Sequence, residues 1–100
     1  MNRKTKEQKF RERVNHWSNT IGVKPKLIQL RRMKNKWASC STAGRVSFAK
    51  DLIHKRRQFQ DYVIVHELIH VHVPNHGKLF KSLMNAYVPN WEKMKRQRWV

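Results

Sequence analysis

Apolar residues change their spacing three times along this chain, and each change predicts a different kind of element. In residues 4–19, Phe10, Val14 and Trp17 recur at i, i+4 and i+7, while Lys6, Lys9, Arg11 and Arg13 occupy the other faces. That is an amphipathic helix with one buried stripe, and Gly22 is placed to end it. After Pro25 the pattern shortens. Leu27, Ile28 and Leu30 predict a strand, Trp37–Ser41 a second, and the alternating Arg45-Val46-Ser47-Phe48-Ala49 a third. Thr42-Ala43-Gly44 is a turn, so a hairpin is expected across Gly44.

From about Gln58 the polar positions nearly vanish. Between Tyr62 and Val73 only His66, Glu67, His70 and His72 are polar. The β-branched residues here would suit a strand, but strands rarely run ~15 residues, and Pro74 supplies a stop. A buried helix over 57–73 is expected. Asn75 is a natural N-cap for a helix opening at His76, with Leu79, Phe80, Leu83, Met84 and Tyr87 inward. Pro89-Asn90 then ends that helix and caps a last one, from Trp91 to about Trp99, with Glu92 early and Arg96 and Arg98 late, as the helix dipole favours. The predicted class is α+β, in one domain spanning 1–100. It comprises a basic N-terminal helix (1–22), a three-stranded antiparallel sheet (25–52), a helix packed on that sheet (57–73) and C-terminal helices (75–100).

Composition narrows the setting. One hundred residues give one small core, which a bound metal would help to staple. A single cysteine, Cys40, excludes an internal disulfide and suits a reducing compartment. No apolar run approaches the ~20 residues of a membrane span, and no hydrophobic segment follows the basic start, so a cytoplasmic monomer is expected. The formal charge is +17. Residues 1–36 hold twelve Lys and Arg against two Glu, residues 37–75 five against three acids, and residues 76–100 six against one. Charge thus gathers at the two ends, where it would attract nucleic acid non-specifically.

The four polar residues in the apolar helix carry the chemistry. His66-Glu67-Leu68-Ile69-His70 places two imidazoles four residues apart, on one face of a helix, where both can reach one metal. On a strand the same pair would lie ~13 Å apart, too far to share an ion. With six His and four Glu, chance supplies such a pentad only ~0.01–0.02 times per chain of this composition. Glu67, one step round the helix, is left to act as a base toward an activated water. Catalytic zinc takes three protein ligands and keeps one position open. His76 is the leading third ligand, because a turn at Pro74-Asn75 lets the next helix aim its first residue back. His72 sits on another helical face, and His16 and His54 are distant alternatives. The His70–His76 spacing equals that of metzincins, but Val73 stands where those proteins carry glycine, and a β-branched residue resists positive φ.

Three strings together resemble the YgjP-like metallopeptidase domain: Lys36-Trp37-Ala38-Ser39-Cys40-Ser41, Asp61 to His70, and Pro74-Asn75-His76-Gly77-Lys78-Leu79-Phe80. SprT-like proteases look like more distant relatives. The resemblance covers residues 25–92 in order. It implies a small gluzincin-type core, a short sheet against an active-site helix, with zinc held by His66, His70 and His76 and with Glu67 as general base. Ala38 stands where the family usually shows glycine, and family members are often longer upstream.

The expectation is therefore zinc-dependent hydrolysis of a protein or peptide substrate. Tyr62, His72 and the arginines are candidates for stabilising the oxyanion, and the strand around Arg45–Ala49 is expected to pair with an extended substrate. A Cys40 thiolate reaching the metal, or the segment Arg96-Gln97-Arg98-Trp99-Val100 covering the cleft, would make the enzyme latent. The rival expectation is a basic nucleic-acid-binding module with structural zinc. One cysteine fits poorly with the four-ligand sites such modules use.

Overall fold

The computed structural model describes residues 3–94. The expected last turns of the C-terminal helix, with Arg96 and Arg98, and the covering role of residues 96–100 lie outside the described residues. Helix α1 spans Lys6–Ile21. Its start is fixed by a reciprocal cap that the hydrophobic pattern does not reveal: Thr5 Oγ1 accepts from the Gln8 N–H at 3.1 Å, and Gln8 Oε1 accepts from the Thr5 N–H at 2.7 Å. Gly22 ends it in the left-handed region, φ 80°, where its N–H donates to the Ser18 carbonyl.

The sheet comprises β1 (Leu27–Arg31), β2 (Ala38–Cys40) and β3 (Arg45–Ala49), in the order β1-β3-β2. The hairpin across Gly44 forms, with β2 antiparallel to β3, but β1 runs parallel to β3. The sheet is mixed, which corrects the antiparallel expectation. The reason lies in residues 32–37. That connection carries the chain past a vacant slot two strand spacings wide, ~10 Å, so β1 and β2 run opposite ways with a gap between them. β3 fills the gap. It is the strand with most to bury: Val46, Ser47, Phe48 and Ala49 are all buried, whereas β1 alternates between exposed and half-buried residues as an edge does. A second correction follows. With a neighbour on each side, Arg45–Ala49 has no open edge to offer a substrate.

A 3-10 turn, Lys50–His54, leads into α2, Arg57–His70, followed by α3, Lys78–Tyr87, and the short α4, Trp91–Met94. Every residue of α2 from Tyr62 to Ile69 is buried, because the helix is enclosed by α1, β2, α3 and α4. Phe10 meets Phe48 edge-on at 5.3 Å, tying α1 to the sheet beneath. On the other flank, Arg13 of α1 grips Asp61 of α2 through two hydrogen bonds of 3.0 and 2.9 Å, and Trp17 Nε1 donates to the same carboxylate at 2.9 Å. Among the described residues no helix is long and apolar enough to cross a membrane.

Two boundaries differ from expectation, and both matter for the site. α2 stops at His70 rather than Val73. Pro74 disfavours a helical conformation in the residue before it, so the chain leaves the helix ahead of Val73. α3 starts at Lys78 rather than His76, with Gly77 in the capping position. Asn75 closes a turn instead, its Oδ1 accepting from the Gly77 N–H at 3.2 Å. His76 is thereby left in the loop between α2 and α3.

Candidate metal centre

The last turn and a half of α2 stacks His66 and His70, whose ring centroids lie 4.6 Å apart. His76 folds back from the loop to 5.2 Å from the first ring and 4.7 Å from the second. One nitrogen from each imidazole lies within 4.8 Å of the others. Tetrahedral zinc with Zn–N bonds of ~2.0–2.1 Å places its ligand nitrogens ~3.4 Å apart. The cluster brackets that value, since Nε2 of His70 and Nε2 of His76 are 2.9 Å apart. Three neutral-capable nitrogen donors with one side open to solvent suit zinc and leave room for a further ligand.

The surroundings hold each ring for such a role. Nδ1 of His70 lies 3.0 Å from the Val73 carbonyl, which can only accept, so the proton is assigned to Nδ1 and the lone pair to Nε2. The loop that follows α2 thus supplies a backbone acceptor to the helix's final histidine. Nδ1 of His66 lies 2.8 Å from Glu67 Oε2, and both side chains are buried. The proton on Nδ1 directs the His66 lone pair to Nε2. The His76 pKa is lowered, first by burial and then by His70 and His66, with Glu67 acting the other way. A depressed pKa favours the neutral ring, the form that binds metal.

Phe80 is the residue whose part in the site was missed. Its place on the inner side of α3 was legible, but its partners were not. The ring stacks on His70 at 4.9 Å and 21°, and meets His66 and His76 edge-on at 5.1 and 4.8 Å. It is 1% exposed and forms an apolar floor under all three imidazoles. The one sequence signal was its position four residues after His76.

The other candidates are placed elsewhere. His72 is exposed, His16 packs its ring against Trp17 at 5.3 Å, and Nδ1 of His54 lies 3.3 Å from Lys6 Nζ. Tyr62 is buried one turn below His66, with its phenol pushed up to about 12 by burial and then by the Glu67 charge. A side chain only 1% exposed is not open to a substrate carbonyl. Burial, and then the Glu67 charge, also pushes the Cys40 thiol up.

The family profile of the YgjP-like metallopeptidase domain matches residues 1–97. Among solved structures, abylysin of Pyrococcus abyssi, described as a metallopeptidase zymogen, superposes with a TM-score of 0.72 at 16% identity, over 90% of this chain and 96% of that one. Jannalysin of Methanocaldococcus jannaschii, also described as a metallopeptidase zymogen, gives 0.75 at 23% identity, over 88% and 91%. At such identities the likeness is one of fold. Among curated proteins no sequence relative reaches significance.

Proposed function

Because the chain belongs to the YgjP-like metallopeptidase-domain family, we propose that it is a zinc-dependent endopeptidase, with His66, His70 and His76 as metal ligands and Glu67 as general base. One observation carries this proposal: three imidazole nitrogens converge within 4.8 Å while a buried carboxylate stands beside the first of them. When bound there, zinc supplies Lewis acidity, which polarises a scissile carbonyl and brings the pKa of water toward ~7. Val73 holds the His70 ring in orientation through its carbonyl, and Phe80 keeps bulk water from beneath the cluster. Glu67 takes a proton from the attacking water and passes it to the leaving amine.

The substrate is an extended peptide, and β2 offers it an edge. Ala38–Cys40 is bonded to β3 on one side only, and Cys40 lies close enough to Glu67 to feel its charge. A peptide adding to β2 as a further strand would pass beside the histidine cluster. The two solved neighbours are both described as zymogens, which supports a latent form of the same enzyme as the second reading.

The test compares wild type with Glu67→Gln for zinc content, thermal midpoint and cleavage of an unfolded protein such as casein. The variant is expected to keep metal and fold while cleavage falls about 10²–10⁴-fold, the range of a lost general base. Undiminished cleavage would remove Glu67 from the mechanism. Wild type that holds no zinc would overturn the proposal, and wild type that holds zinc but leaves casein intact would favour latency.

A further inference from the structure

We propose a second site: a cation-lined groove between α1 and residues 54–57 that binds the phosphate backbone of nucleic acid. The groove encloses about 670 Å³. Lys6 and Lys9 stand on one wall, and His54, Lys55 and Arg57 on the other. The walls touch where Lys6 Nζ approaches His54 Nδ1 at 3.3 Å, across 48 residues of sequence.

What sets this groove apart from the rest of a basic surface is that four cations without a carboxylate partner among the described residues, Lys6, Lys9, Lys55 and Arg57, line one cavity. Glu12 lines it, but its carboxylate pairs with Lys4 at 2.6 Å. Arg13 also lines it, but Arg13 is committed to Asp61. Glu7 pairs along the helix with Arg11. Among the described residues, none of Lys6, Lys9, Lys55 and Arg57 forms an ion pair with a carboxylate. Asp51, four residues before Lys55, lines the neighbouring surface with Lys36 rather than this groove, and the first turn of α2 contains no acid. The cationic strip extends further. Lys55 Nζ lies 5.2 Å over the half-buried ring of Trp37, at the end of the β1–β2 loop that exposes Arg32, Lys34 and Lys36.

Phosphate polymer fits this surface better than an acidic peptide does. The walls come from α1, the 3-10 turn, the bend at residues 55–56 and the start of α2, so they contain no strand edge for a peptide backbone to join. Among the described residues Ile53 is the only apolar one lining the groove. A peptide needs apolar anchors for affinity. A polyphosphate backbone needs only cations in a row, because releasing its counterions drives association. The groove is also distinct from the histidine cluster. Arg57 precedes His66 by nine residues, ~13.5 Å along α2, and none of the three histidines lines the groove. The proposal does not depend on whether the cluster cleaves peptides.

The experiment is fluorescence anisotropy of zinc-loaded full-length protein with a labelled poly-dT oligonucleotide, from about 50 to about 200 mM salt. The triple reversal Lys6→Glu/Lys9→Glu/Lys55→Glu is compared with Lys24→Glu/Lys26→Glu/Lys81→Glu, which changes net charge equally at exposed sites outside the groove. The groove reversal is expected to weaken binding at least tenfold more than the control and to reduce the log–log salt slope by about 2, the value for two to three lost phosphate contacts. Zinc content should be the same in both. If the reversal lowers the thermal midpoint, the neutral triple Lys6→Gln/Lys9→Gln/Lys55→Gln is read instead, with the slope as the criterion. Equal losses in the two triples would show that the attraction is diffuse and overturn the proposal. So would no binding at the lowest salt, or equal affinity for poly-glutamate.

Discussion

The two ends of α2 are built by opposite means. Its C-terminal end buries His66 and Glu67, half-buries His70, backs them with an aromatic floor, and gives each ring a defined acceptor. Its N-terminal end exposes Lys55, Arg56 and Arg57, has no side-chain cap, and meets α1 across a groove of like charges. The first is a site of fixed geometry, where a displacement of an ångström matters. The second is a site of field, where position matters less than sign. One helix can carry both because the ~13.5 Å between Arg57 and His66 exceeds the ~8–10 Å over which solvent and salt screen charge at physiological ionic strength.

That contrast can be broken or sharpened in order of effect. The largest change is expected from Phe80→Ala, which removes the floor and leaves a cavity under three imidazoles. Thermal or denaturant unfolding should show a loss of about 3–5 kcal/mol, with zinc affinity reduced and groove binding by the remaining folded protein unaltered. His76→Ala comes next. His76 is exposed in a loop, so the thermal midpoint of the metal-free protein should hardly move, while zinc affinity by chelator competition falls at least about a hundredfold, more than the loss of an outer-shell partner causes. Full retention of affinity would mean that the third ligand is another group.

Asp61→Asn tests where the two regimes meet. It strips the charge from the partner of Arg13 and Trp17, and unfolding should reveal a cost of about 1–2 kcal/mol, at the low end for bonds to charged groups because both side chains retain some exposure. The same change frees Arg13 toward the groove, so oligonucleotide affinity should rise several-fold. A fall would separate Arg13 from the groove's field. Gly22→Ala is the smallest and touches neither end. An added Cβ meets nothing within 4 Å, so the expected loss of about 1 kcal/mol is the backbone cost of the left-handed conformation alone, with zinc and oligonucleotide binding unchanged.

Which parts were legible in the sequence follows from how local each cause is. The stacking of His66 over His70 is a property of one helical turn, and the cap at Gly22 and the hairpin at Gly44 are equally local. His76 could be ranked from the break at Pro74, although its freedom came from Gly77 taking the cap. The position of β1 could not be read, because it depends on which strand fills a gap left by residues 32–37, and that is decided by the burial of Val46 and Phe48. Phe80 could be placed on an inner face but not beneath three particular rings. The groove was the least legible feature. Its walls come from residues 6–9 and 54–57, and its character depends on which charges pair across the fold, Glu12 with Lys4 and Arg13 with Asp61, none of which a charge count along the chain can show.

The strand order also has a consequence in time. β3 is central in the sheet but last of the three strands in the chain, and each of the other two bonds only to it. During synthesis from the N-terminus, β1 and β2 therefore have no native partner until Ala49 has emerged. α1 can form in the meantime, helped by its own cap, with its Phe10 face still uncovered. Sheet assembly must then be a late, stepwise event in which the β2–β3 hairpin closes first, because its turn is short, and β1 docks afterwards from 18 residues away. A slow step in folding should respond to changes at Leu27–Arg31 more than to changes in the hairpin turn.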